Sequence, residues 1–150
     1  GASWPEIRLA LPDIAKYAQT RKPTTFSASL AARIELAFAT VQKAQGTEQA
    51  SEAVYQLVGA GVSTIESVPA ALAMVELAGT CPNQCAVLCA NLGGDTDTIG
   101  AMATAICGAL NGIEVFKKEW LDELKRVNPQ NMTRYSDAFQ RFRQQAQEAE

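Results

Sequence analysis

The chain has 150 residues, 47% of them hydrophobic, with 13 Lys and Arg against 16 Asp and Glu for a formal net charge of −3. That length suits one domain, or part of one, with a sizeable core, and the dispersed basic residues leave no footprint for nucleic acid. Histidine is absent, so Ser-His-Asp and Cys-His catalysis cannot be assembled from this chain alone, and acid–base chemistry falls to carboxylates, metal-bound water or residues from elsewhere.

The opening run Gly1-Ala2-Ser3-Trp4-Pro5 has neither an initiator Met nor the charged and apolar regions of a signal peptide, and reads as an internal starting point. No apolar run approaches the roughly 18 residues of a membrane span, so a membrane is not an expected partner. Residues 7–18 predict a partial helix interrupted by Pro12. Over residues 29–45, Leu30, Ile34, Ala37, Phe38 and Val41 form an amphipathic helical stripe, and Gly46 suits its stop. Thr47 and Glu48 begin another helix through Leu57, and Gly59-Ala60-Gly61-Val62-Ser63-Thr64 forms a turn or loop.

Residues 66–77 read as a buried helix with Pro69 in its first turn, where a missing N–H does no harm. Gly79-Thr80 closes it, and Pro82 starts the next helix, up to about Leu92. Residues 99–112 form an Ala/Gly-rich helix that permits close approach by neighbours. Residues 116–127 follow as a short amphipathic helix with Trp120, Leu121 and Leu124 as its apolar positions. A break at Asn128-Pro129-Gln130-Asn131 precedes a polar terminal helix over 133–150, with Tyr135, Phe139 and Phe142 on one side. Strand alternation, repeats and low-complexity linkers are missing, and the expected class is all-α.

Cys81, Cys85 and Cys89, spaced by four, fall along one helical face, while Cys107 stands apart. Zinc and iron–sulfur sites more often use Cys-x-x-Cys spacing, and the mixed zinc sites need histidine. These cysteines therefore read as small buried apolar residues rather than as a thiolate metal or redox centre. With no disulfide framework, a reducing cytoplasm is the expected compartment.

The most informative segment is Gly93-Gly94-Asp95-Thr96-Asp97-Thr98, just before the Ala/Gly-rich helix. The glycine pair frees the backbone for tight approach. Asp95, Asp97 and Thr98 offer only hard oxygen donors, the set preferred by magnesium, calcium or manganese. An Asp or Thr in front of a helix also serves as an N-cap, but one carboxylate suffices for that.

The pattern from Gly59 to Leu124 resembles the ADP-ribosylglycohydrolase family, which includes dinitrogenase reductase-activating glycohydrolase and crystallin J1 relatives. The resemblance is carried by Gly59-Ala60-Gly61, by Glu66-Ser67-Val68-Pro69-Ala70-Ala71-Leu72, by residues 90–103 around Gly-Gly-Asp-Thr-Asp-Thr, and by Gly108-Ala109 and Trp120-Leu121. It implies an all-helical fold, here a compact orthogonal helical domain, and a two-metal hydrolase using Mg2+ or Mn2+. The implied reaction removes ADP-ribose from an acceptor by cleaving the bond at the anomeric carbon of the ribose, with an ADP-ribosylated substrate or related ribosyl small molecule as partner. Arginine, serine, an ester or a nucleoside are all compatible acceptors.

Carried over residue by residue, the resemblance makes Asp95, Asp97 and Thr98 metal ligands and Thr96 a loop or capping residue. The Gly59-Ala60-Gly61-Val62 turn would line the nucleotide pocket, with Gly59, Gly61 and Gly94 as substrate-binding positions. The family's N-terminal acidic motif, a Gly-Asp pair with a following carboxylate that completes the metal site, has no counterpart here. Asp13, Glu35 and Glu48 lie in unsuitable contexts. The expectation is therefore the C-terminal portion of a single such domain, with the catalytic residues in a missing N-terminal segment. Two alternatives stand beside it: a non-catalytic ADP-ribose-binding or crystallin-like structural relative, and a cysteine-based metal or redox protein.

Overall fold

The computed structural model describes residues 1–21, 26–128, 130 and 133–148. Regular structure among them is helical throughout, without a strand. The order is α1 (Trp4–Thr20), α2 (Leu30–Lys43), α3 (Thr47–Ala53) running into a π turn (Val54–Val58), α4 (Thr64–Leu77), α5 (Pro82–Leu92), α6 (Thr96–Asn111), a 3₁₀ turn (Ile113–Val115), α7 (Lys118–Val127) and α8 (Thr133–Glu148). Pro129 and Asn131 of the expected break, and the last two residues of the expected terminal helix, lie outside the described residues.

Gly1–Val115 forms one unit, and its centre is α4. Ser67 and every residue from Pro69 to Val75 are buried, as befits a helix that is apolar on nearly all sides. It packs against α2, α5 and α6. Ala70, Ala71 and Ala73 keep its surface small where neighbours approach, and Met74 and Val75 fill the remaining space together with Val54, Val58 and Ile99.

A second cluster joins Ala15 of α1 to Ala31, Ile34 and Phe38 of α2 and Leu72 of α4. The Trp4 ring meets Phe38 edge-on at 6.2 Å, and the Arg8 guanidinium lies 4.8 Å above the same Phe38 ring. Trp4 Nε1 donates to Glu76 Oε2 at 2.6 Å, so α1 is tied to α4 by a polar link beside this apolar contact. The start of α1 is closed by a capping box, in which the Ser3 N–H donates to Glu6 Oε2 at 2.8 Å.

Phe116–Glu150 forms the second unit. In α7, Trp120 and Leu121 are half-buried and Leu124 is exposed; in α8, Tyr135, Phe139 and Phe142 are all exposed.

Four expectations need correction. α1 runs through Pro12 without a break; the proline removes a single N–H, and the capped first turn and the Trp4, Ala15 packing hold the helix on both sides of it. Pro69 is not in a first turn, because α4 starts at Thr64. Its missing N–H would have bonded the Ile65 carbonyl. The Ala/Gly-rich helix begins at Thr96 rather than Ile99, which places Asp97 and Thr98 inside its first turn. Finally, Cys107 does not stand apart. It is fully buried against Cys85 and Cys89, whereas Cys81, the N-cap of α5, is exposed. Hydrogen bonds to Cys107 and Cys89, then burial, push the Cys85 thiol well above its ordinary pKa. The trio is core, and the described residues hold no group of three or more Cys, Asp or Glu able to ligate a metal.

Candidate functional site

The acidic loop lies between α5 and α6. Gly93 and Gly94 adopt φ of +88° and +69°, left-handed values that strain any other residue. They reverse the chain so that Asp95 becomes the N-cap of α6, yet its side chain makes no cap hydrogen bond. Thr96, expected as a loop or capping residue, is the first residue of the helix instead. Asp95 and Thr98, three apart at the helix start, share one face. Asp95 is half-buried, and Asp97 and Thr98 are exposed.

Asp95 and Asp97, two residues apart at the start of α6, are near enough for their carboxyl groups to influence each other. A side-chain hydrogen bond with Asp95, then the backbone N–H groups of Asp97 and Thr98, hold the Asp97 carboxyl below its ordinary pKa. Carboxyl groups in contact repel each other unless a proton or a cation neutralises one of them. With the Thr98 hydroxyl on the same turn, the cluster has the composition of a hard-cation site open to solvent on one side. Among the described residues no further Asp, Glu or Cys joins this pair to make a group of three.

The glycine loop after the π turn is brought directly against this cluster. The Asp95 N–H donates to the Ala60 carbonyl at 2.7 Å. A Cβ on Gly94 would stand 2.1 Å from the Ala60 oxygen, so only glycine lets the two loops close. On the other side of Ala60, the Glu66 carboxylate accepts the Gly61 N–H at 2.9 Å. Its Oε2 occupies the space that a Cβ on Gly59 or on Gly61 would need, 2.7 Å away in both cases. Gly59, Gly61 and Gly94 thus belong to one packed junction with Asp95.

Two participants in this junction carry little signal in the sequence. Ala60 acts through its backbone carbonyl, which residue type does not reveal. Glu66 sits three residues after Ser63, the spacing of a capping box, and that spacing would assign it to the Ser63 N–H rather than to Gly61. A third neighbour, Tyr55, lies under the loop, its Cε2 3.2 Å from where a Gly93 Cβ would be. Tyr55 also lines a groove of about 530 Å³ with Glu48, Glu52, Leu88 and Asn91; Asp95, Asp97 and Thr98 do not line it. No described helix is long and apolar enough to cross a membrane.

Comparison with known proteins gives two positive results. A family model described as ADP-ribosylglycohydrolase matches residues 2–149. The protein "Uncharacterized protein YegU" of Escherichia coli (strain K12) is 61% identical over 145 residues, which is 97% of this chain and 43% of that relative's length. No solved structure gives a significant match.

Proposed function

The chain belongs to the ADP-ribosylglycohydrolase family, and from that premise we propose that it contributes the Asp95, Asp97 and Thr98 wall of a two-metal site that hydrolyses the glycosidic bond of ADP-ribosyl adducts or of a related ribosyl compound. The observation that carries this reading is the placement of Asp95, Asp97 and Thr98 at the N-cap and in the first turn of α6, directly after the left-handed Gly93-Gly94 turn. Hard oxygen donors of this kind fit Mg2+ or Mn2+, which Asp95, Asp97 and Thr98 would hold. When bound, such dications supply Lewis acidity that orients ribose hydroxyls and a water and offsets charge as the bond breaks.

The chain's own residues do the positioning. The left-handed Gly93-Gly94 turn presents both carboxyls at the end of α6. The N–H groups of that helix end favour negative charge there, which suits a site for a carboxylate-bound cation. Gly59, Gly61 and Gly94 let the glycine loop, Glu66 and Asp95 pack into one junction, and we assign to the surface of that junction the contact with the nucleotide. Because the described residues add no third Asp, Glu or Cys to the Asp95 and Asp97 pair, we assign the opposing carboxylates and the group that activates water to a segment outside the chain, making this the C-terminal portion of a single domain.

A Mn2+ titration followed by electron paramagnetic resonance, paired with turnover of ADP-ribosyl-arginine and ADP-ribosyl-serine peptides, tests the proposal. Weak Mn2+ binding by the 150-residue chain, lost in Asp97→Ala, with turnover only when the rest of the protein is supplied, supports it. Robust turnover by the isolated chain would overturn the half-site. A complete protein that binds ADP-ribose and hydrolyses neither substrate would instead be a binding or structural relative.

A further inference from the structure

The glycine loop does not rest on Asp95 by local chain geometry alone; a side chain from α4 holds it there. Ser63 and Glu66 have the N-cap and N3 spacing at which a glutamate normally turns back to the N-cap N–H. Ser3 and Glu6 do this at the start of α1, where Glu6 Oε2 accepts the Ser3 N–H at 2.8 Å. Glu66 leaves that local partner and reaches past it to Gly61, at 2.9 Å. It lies half-buried in the volume vacated by the missing Cβ atoms of Gly59 and Gly61. Between those two glycines is Ala60, 4% exposed, whose carbonyl is spent on the Asp95 N–H at 2.7 Å.

We infer that Glu66 is a positioning residue for Asp95, acting through the Gly61 N–H and the Ala60 carbonyl, and that it sets the cation affinity of the acidic loop; this rests on the metal reading proposed above. The physical link is short. Without the Glu66 carboxylate, the loop between the π turn and α4 has lost the acceptor that orients its peptide planes. The Ala60 oxygen then no longer has a defined direction, and the N-cap residue of α6 loses the bond that fixes its backbone. Two carboxyls that must converge on one cation are sensitive to such a change, because ion coordination tolerates little displacement of its ligands.

Glu66→Ala, Glu66→Gln and Gly61→Ala separate this from a plain structural role. Amide hydrogen exchange by NMR on the metal-free 150-residue chain reads the Gly61 and Asp95 N–H groups one by one, and Mn2+ titration reads the loop. In Glu66→Ala both amides should exchange about tenfold faster, the loss of about one hydrogen bond, and Mn2+ affinity should fall about as far, with protection in the core of α4 retained. Glu66→Gln keeps an acceptor oxygen and should restore both readouts. Gly61 has no left-handed φ, so Gly61→Ala displaces the carboxylate without backbone strain and should reproduce Glu66→Ala, which decides the matter if Glu66→Ala fails to fold. Unchanged Asp95 exchange in a folded Glu66→Ala or Gly61→Ala would overturn the inference. If the unaltered chain takes up no Mn2+, the metal reading fails, and the Asp95 amide alone decides whether Glu66 positions it.

Discussion

The Asp95 N–H and the Ala60 carbonyl meet at 2.7 Å, and this bond joins the acidic loop to a glycine loop that enters the fold before α4. Two segments distant in the chain thereby become one junction. Its tolerance is set by Gly94, where the absence of a side chain is what lets the Ala60 oxygen in.

Gly94→Ala should accordingly disrupt the junction. The added Cβ would fall 2.1 Å from a backbone oxygen, and φ is +69°. A non-glycine residue in a left-handed conformation costs about 1–3 kcal/mol where the surroundings hold it there, and the lost Asp95–Ala60 bond adds to that. Urea unfolding should show a destabilisation of at least about 1 kcal/mol, together with faster exchange of the Asp95 amide. An unchanged midpoint would mean that the two loops separate at no cost.

Thiol labelling should divide the cysteines. Cys81 is exposed, and Cys85, Cys89 and Cys107 are buried. Reaction with an external reagent requires access to the sulfur, which a packed interior denies. A chromogenic disulfide reagent should modify Cys81 rapidly in the folded chain, and the other three only after addition of denaturant. Rapid reaction of all four in buffer would contradict the buried trio.

The capping box at α1 predicts a pH effect of defined sign. Hydrogen bonds from the Ser3 hydroxyl and then the Ser3 N–H hold the Glu6 carboxyl below its ordinary pKa in the folded chain. A carboxyl with a depressed folded pKa contributes stability that is fully present above its unfolded value and is lost as pH falls through the folded one. The stability difference between the unaltered chain and Glu6→Gln should therefore be largest above about pH 4.5 and shrink below it. Urea midpoints measured through that range would show it, and a difference that grows on acidification would refute the assignment.

Glu76 anchors α1 to α4. It accepts the Trp4 indole N–H at 2.6 Å and lies 3.5 Å from Arg8 Nε, a nitrogen that is buried and without a hydrogen-bond partner. Glu76→Ala should cost about 1–3 kcal/mol, because it leaves the indole donor unsatisfied. Glu76→Gln, which retains an acceptor oxygen, should cost less. Trp4 is half-buried, so unfolding followed by tryptophan fluorescence reports on this contact.

The helices were legible because their signals are local and redundant. The stripe from Leu30 to Val41 does become the buried side of α2, and Pro82 does open α5. A single residue misleads where its neighbours share in deciding the outcome. Pro12 reads as a breaker, yet packing and capping on either side carry α1 through it. Cys107 looks isolated until α5 and α6 pack together and place it beside Cys85 and Cys89.

From the sequence alone came the all-α class, the family, and the hard-oxygen character of Asp95, Asp97 and Thr98. The class and the donor character follow from residue type and spacing, and the family from its resemblance, none of which needs a tertiary contact to be read. Only the tertiary structure decided that Asp95 is bound to Ala60, that Gly94 is required by that contact, and that Glu66 passes over its own helix cap to hold Gly61. Those are relations between backbone groups and a side chain with two partners available. Which partner wins depends on the packing of α4 beneath the loop, and spacing along the chain does not contain it.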